Sequence, residues 1–285
     1  MKALARGVWL ALGIPLRGLE QVGASLIEWW RRGSYLAGVL CAVAVLAVQP
    51  RTWTRDVRTV LARQILFSGV DSLWFTMRIS AAVGVIVIVQ GELWLGAIGQ
   101  SEQLGTLLLR VVVRELAPLL VNLIVIVRSG TAISAELANM RLAGEIDVLD
   151  SQGIDPMPYL VVPRVLALSV SAFGLSLVFI VVSFVSGYVM CALLGVATGT
   201  IETFLDNVIN ATTWSDVGFF LPKTLLTGLL IGVMCANEGL NIRGAVTEVP
   251  QIVGRSAIRS LTVVFVIAAM LSLIVYGTIL FIEVF

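Results

Sequence analysis

The sequence predicts an all-α, polytopic helical membrane protein with about five transmembrane helices, and three observations carry that reading. Of 285 residues, 58% are hydrophobic and 13% charged, against roughly 45–50% and about 25% in an ordinary soluble domain. The mean hydropathy is +0.99. Five apolar runs are each as long as the roughly 20 residues that a helix needs to cross a bilayer. Together these exclude a soluble globular enzyme and a disordered chain.

The elements follow in order. Residues 1–34 combine an apolar stripe (Leu4, Trp9, Leu12, Leu16, Leu19, Leu26) with Arg6, Arg17, Glu20, Glu28, Arg31 and Arg32. That pattern predicts a helix lying in the membrane interface, with Trp9, Trp29 and Trp30 at headgroup level. A signal peptide is disfavoured because charges return quickly and no small-x-small cleavage site follows. Residues 35–48 form an apolar run of 14 before Gln49-Pro50, short for a span and so re-entrant or interfacial. Residues 1–70 therefore read as an N-terminal cytoplasmic or interfacial region, and 71–285 as the transmembrane domain. Its five spans run from about Leu73 to Ile98, Leu116 to Leu137, Tyr159 to Leu194, Val217 to Ala236 and Leu261 to Phe281. The third exceeds the hydrocarbon thickness and should tilt or project.

Orientation comes from the basic residues, which concentrate on cytoplasmic flanks. Ten of the 19 Lys and Arg (Lys2, Arg6, Arg17, Arg31, Arg32, Arg51, Arg55, Arg58, Arg63 and Arg78) lie within the first 78 positions. There is none between 165 and 222, where Glu202, Asp206 and Asp216 occur instead. Arg141 with Arg164, and Arg243, Arg255 and Arg259, mark the other two loops as internal. The N-terminus is thus expected inside and the C-terminus outside. Arg110 and Arg114 fall on the outer side against the rule, and are expected to be buried in the bundle or paired.

Several chemistries are excluded. The chain has no histidine, which removes the usual general base, the Ser-His-Asp arrangement and the commonest transition-metal ligand. Cys41, Cys191 and Cys235 are far apart and read as reduced packing residues. A net charge of +1 gives no reason to expect nucleic acid. Lys223-Thr224 is the sole Lys-Thr pair and follows Pro222 inside an apolar span, so there is no phosphate-cradling Gly-x-x-x-x-Gly-Lys loop. Any ATP must be hydrolysed by another polypeptide, and no cofactor or metal is expected.

Two groups of polar residues stand out. In the inside loop, Arg141, Glu145, Asp147, Asp150 and Asp155 alternate with Met140, Leu142, Ile146, Val148 and Leu149, which at helical spacing gives a short amphipathic helix over about 138–158. Gly153 and the Asp155-Pro156 step stop it. It is either a solvated connector or a docking helix for a cytoplasmic partner. Glu115, Arg128 and Glu136 lie in or near the second span, where a charge costs roughly 2.5–3.5 kcal/mol. They are either paired structurally, Arg128 with Glu92 or Glu238, or placed along a transport route with Arg114 and Pro118. Pro118 frees a backbone carbonyl there. Gly228-x-x-x-Gly232 offers close helix approach in the fourth span.

The stretch Arg114–Arg164 resembles the signature of the MlaE permease family, the membrane subunits of MCE-associated ABC lipid transporters. The family's Arg-Glu-Leu-Gly-Pro element is matched by Arg114-Glu115-Leu116-Ala117-Pro118. Its Gly-Arg-x-Gly-Ser-Ala-x-x-Ala-Glu-Leu-x-x-Met element is matched from Val127 to Met140, retaining Arg128, Gly130, Ala132, Ala135, Glu136, Leu137 and Met140. Its remaining elements reappear as Glu145-Ile146-Asp147-Val148-Leu149, Gly153-Ile154-Asp155-Pro156 and Tyr159-Leu160-Val161-Val162-Pro163-Arg164. About 50 residues carry the specific match, and the Gly254-Arg255 step extends a fainter likeness over roughly 70–285. Ala117, Val127, Thr131 and Gly144 depart from the pattern without removing a charge.

The resemblance implies a permease dimer in the bacterial inner membrane, homodimeric or pairing related chains, with a separate ATPase subunit beneath it. It also implies a periplasmic MCE-domain partner and a lipid cargo. The 138–158 segment becomes the coupling helix, with Arg141, Glu145, Asp147, Asp150, Asp155 and Pro156 as its docking residues. Two other readings compete: a secondary transporter or channel, against which the odd span count and lack of an internal repeat argue, and a lipid-modifying membrane enzyme, against which the lack of a catalytic constellation argues.

Overall fold

The computed structural model describes residues 31, 33–97, 99, 104–195, 200–242 and 244–284, and every regular element among them is a helix. The interfacial helix expected over 1–34 lies almost wholly outside the described residues. The chain divides into two compact units, Met1–Val45 and Leu46–Phe285. The boundary expected at 70/71 falls instead inside a continuous helix.

Helix α1 (Gly33–Val48) is apolar but shorter than a span. α2 (Arg55–Ala97) begins where Thr54 accepts a hydrogen bond from the Val57 amide. It carries its arginines straight into the first span through a π-helical turn at Leu66–Val70. Trp74 and Trp94 on it are 73% and 74% exposed. Twenty residues of helix rise about 30 Å, so the two indoles sit one hydrocarbon thickness apart, as membrane-interface tryptophans do.

α3 covers residues 104–142 and holds the expected second span. It is wound as π-helix over Leu109–Leu116 and Ile126–Gly130, with α-helix before, between and after. After a turn at Ala143 and Gly144 comes α4 (Glu145–Ser151), then α5 (Met157–Leu193), α6 (Ile201–Ala211), α7 (Trp214–Leu240) and α8 (Val249–Val284). By length and composition α2, α5 and the main parts of α7 and α8 are the four helices fit to cross a membrane.

α5 lies along α2 on one side and α7 on the other, and α7 also packs on α3 and α8. Small residues make these contacts close, as in other membrane bundles. A Cβ on Gly228 would stand 2.7 Å from Ser169 Cα, and one on Gly232 2.8 Å from Val165 Cα. The Gly-x-x-x-Gly of α7 is thus its seam with α5. Buried hydroxyls bridge helices as well: Ser183 donates to the Ser80 carbonyl at 3.0 Å, and Ser134 to the Cys235 carbonyl at 2.9 Å. Cys191 and Cys235 are buried thiols, while Cys41 is exposed.

The two ends of the bundle differ. At one, α6 lies against the start of α3, where a Cβ on Gly105 would stand 2.5 Å from the Asn207 carbonyl oxygen. Phe204 of α6 meets Tyr188 of α5 with ring centroids 5.3 Å apart. At the other end, Ala138 and Leu142 of α3 share an apolar cluster with Ile242, Val249 and Ile252, directly before α4.

Candidate functional site

Four of the five ion pairs between described residues involve α3 or the short turn after it. In its first half, Glu115 meets Lys223 of α7. The Lys223 ammonium donates to Glu115 Oε2 at 2.8 Å, to the Arg114 carbonyl at 2.7 Å and to Ser272 Oγ at 2.9 Å. Ser272 in turn donates to Glu115 Oε1 at 2.8 Å. Pro118 has no N–H to close a helical bond onto Arg114, four residues earlier, and it is this carbonyl that Lys223 occupies. Lys223 is 6% exposed, whereas the Glu115 side chain is 35% exposed.

Beside this triad Arg114 forms an ion pair with Asp216, donating from Nε at 2.6 Å. Asp216 also accepts from the Thr213 amide at 2.8 Å and so caps α7. One buried carboxylate neutralises the arginine and satisfies the helix N-terminus. Arg114 is therefore paired, as the basic-residue pattern required. Arg110 is not: it is exposed and has no ion-pair partner among the described residues.

Toward the other end Glu136 pairs with Arg164 of α5 at 2.7 Å, and Arg259 of α8 pairs with Glu238 of α7. Glu238 is thus not the partner of Arg128. Half-buried on the second π turn, Arg128 has no ion pair among the described residues. The row Glu115, Leu119, Leu123, Val127 and Thr131, spaced four apart, is the face of α3 that the bundle leaves partly open. It sets a carboxylate and, next to Val127, a guanidinium at the two ends of an apolar strip.

The polar loop resolves into three pieces. Residues 138–142 finish α3, and Gly144 turns the chain with φ +75°, a conformation open to glycine at no steric cost. A bulkier residue in its place would be strained. α4 buries Ile146 and exposes Glu145, Asp147, Val148 and Asp150, the amphipathic pattern expected. Asp147 accepts from Arg141 at 2.7 Å. Gly153, also at φ +75°, ends the segment. The Asp155 carboxylate accepts from the Met157 amide at 2.9 Å, so it caps α5 behind Pro156.

Sequence reasoning passed over Lys223, Asp216 and Ser272 as site residues. Lys223 had a signal, a lone lysine in an apolar span. Ser272 had none.

Comparison with known proteins gives a consistent picture. Residues 61–274 match the family model described as Permease MlaE. A probable ABC transporter permease protein of Synechocystis is 30% identical over 203 residues, covering 71% of this chain and 76% of that protein. One from Rickettsia typhi is 28% identical over 183 residues, covering 64% and 69%. The chloroplastic protein TRIGALACTOSYLDIACYLGLYCEROL 1 of Arabidopsis thaliana is 26% identical over 211 residues, covering 74% of this chain and 59% of that protein.

Proposed function

The chain belongs to the MlaE permease family, and from that premise we propose that it is the membrane subunit of an ABC transporter that moves phospholipid between the inner membrane and a periplasmic MCE-domain protein. Two copies would face each other and enclose the lipid, and a separate ATPase subunit would dock on α4. The N-terminus would be cytoplasmic and the C-terminus periplasmic.

The observation that carries the lipid assignment is the open face of α3. An amphiphile needs an apolar wall for its tails and polar groups for its head. Leu119, Leu123 and Val127 supply the wall, with Glu115 at one end and Arg128 at the other. A charge held at membrane depth without an ion pair is costly unless it is used. Arg128 is then the group that meets a phosphate, and the Glu115–Lys223 pair the group that a zwitterionic head reorganises. The name of the Arabidopsis relative contains that of a glycerolipid.

The test is reconstitution of the purified permease, ATPase and MCE protein with labelled phospholipid. ATP-dependent transfer is expected, reduced at least tenfold by Arg128→Ala with the complex still assembled. Glu145→Lys with Asp147→Lys should release the ATPase while the permease still inserts. Transfer at the normal rate in Arg128→Ala would remove that residue from the route, and full ATPase retention in the α4 variant would remove α4 from the interface.

A further inference from the structure

At the same end of the bundle as the last turn of α3 lies a cleft of about 350 Å³ formed by the loop between α7 and α8 and the first turns of α8. Asn241, Glu248, Gln251 and Arg255 line its walls, and Ile242 and Ile252 its floor. We infer that this cleft is a second anchoring site for the ATPase subunit, taking a basic side chain of that partner against Glu248 and an acidic one against Arg255. The inference rests on the reading that α4 docks the ATPase.

Three features support it. Glu248 and Arg255 are both exposed, and neither has an ion-pair partner among the described residues. They are opposite in sign and seven residues apart, about two helical turns on one face, so they present a fixed plus-and-minus pattern that selects a complementary surface. Gly244 lies directly under the Glu248 carboxylate, which occupies the space that any side chain at 244 would need.

The cleft also shares its foundation with α4. Its floor residues Ile242 and Ile252 belong to the apolar cluster that contains Ala138 and Leu142, and Leu142 stands three residues before Glu145, where α4 begins. A partner broad enough to cover α4 therefore meets the cleft on the same end of the bundle. Engaging both sites would grip α3 through α4 and α8 through its first turns. The Gly254-Arg255 step acquires a role in this way: Arg255 is the exposed basic end of the cleft.

The experiment uses the complete permease–ATPase complex with a photo-crosslinking amino acid at Gln251, an exposed position. A covalent permease–ATPase adduct identified by mass spectrometry is expected there, and none from the same group at Leu273, which is 72% exposed on α8. Glu248→Arg and Arg255→Glu should each weaken ATPase retention about tenfold, because each sets like charges together. Permease melting is measured on the same samples, and Glu248→Gln provides a milder variant. If Glu145→Lys with Asp147→Lys releases the ATPase but position 251 gives no adduct, the second anchor is wrong and docking on α4 stands. An adduct with lipid in place of the ATPase also overturns it. If the α4 variant retains the ATPase, the underlying docking reading fails separately.

Discussion

Lys223 has three N–H donors, and all three are placed: on Glu115, on Ser272 and on the carbonyl that Pro118 leaves free. Its exposure and that of its partner differ, so the two halves of the pair should respond unequally to mutation. Glu115→Ala strands a buried ammonium, and losing one partner of a buried pair costs about 3 kcal/mol. Lys223→Met strands a carboxylate that is 35% exposed and still accepts from Ser272, so its cost should be about half as large. Thermal melting in detergent should thus fall further for Glu115→Ala than for Lys223→Met. Equal shifts would show that the burial difference does not govern the pair. Arg128→Ala, with no ion pair to break, should melt within experimental error of the parent, which separates a transport role from a structural one.

At the scale of helices, close approach and π winding shape the bundle. The π turns of α3 carry Arg114, Glu115 and Arg128. A π turn opens the backbone ladder and is frequent at functional sites, and here it precedes Pro118 in one case. The seam between α5 and α7 depends on the absence of side chains at Gly228 and Gly232. Gly228→Leu must push the Ser169 backbone away, and overpacking of this kind costs about 1–3 kcal/mol. Lower expression and a lower melting temperature are expected, while Gly218→Leu on the same helix, where a Cβ would meet nothing within 4 Å, should be tolerated. A normal melting temperature for Gly228→Leu would mean that α5 and α7 separate easily.

For the whole molecule, the two ends of the bundle are built from different elements. α6 and the Arg114–Asp216 pair lie at one end, and α4 with the cleft at the other. Proposed orientation follows from the basic-residue asymmetry. With Cys41 replaced by Ser, an impermeant thiol reagent applied to intact cells should label Glu202→Cys on α6 and spare Thr247→Cys before α8. Both positions are exposed in the structure, and labelling of Thr247→Cys in permeabilised membranes stripped of the ATPase separates the side of the membrane from cover by the partner. The reverse labelling pattern would invert the topology.

The sequence by itself determined the class, the family and the four spans that match α2, α5, α7 and α8; the stretch read as the second span lies in α3, which is not among the helices fit to cross a membrane. Each of these rests on local composition or on residues adjacent in the chain: 20-residue apolar runs, loop charges, and the Arg114–Arg164 signature. It also pointed to an amphipathic helix stopped at Gly153, because amphipathic spacing and glycine punctuation are local signals, but over 138–158, of which α4 takes only Glu145–Ser151 after the turn at Gly144. Only the tertiary structure decided the partners of the buried charges. Arg114 reaches Asp216 across 102 positions, and Ser272 reaches Glu115 across 157. Nothing in one-dimensional spacing links residues on helices whose relative rotation is set by packing. The same reason explains why Glu238, one of the two partners considered for Arg128, pairs with Arg259. In a bundle, which charges meet depends on which faces turn inward, and small residues such as Gly228 and Gly232 set that rotation.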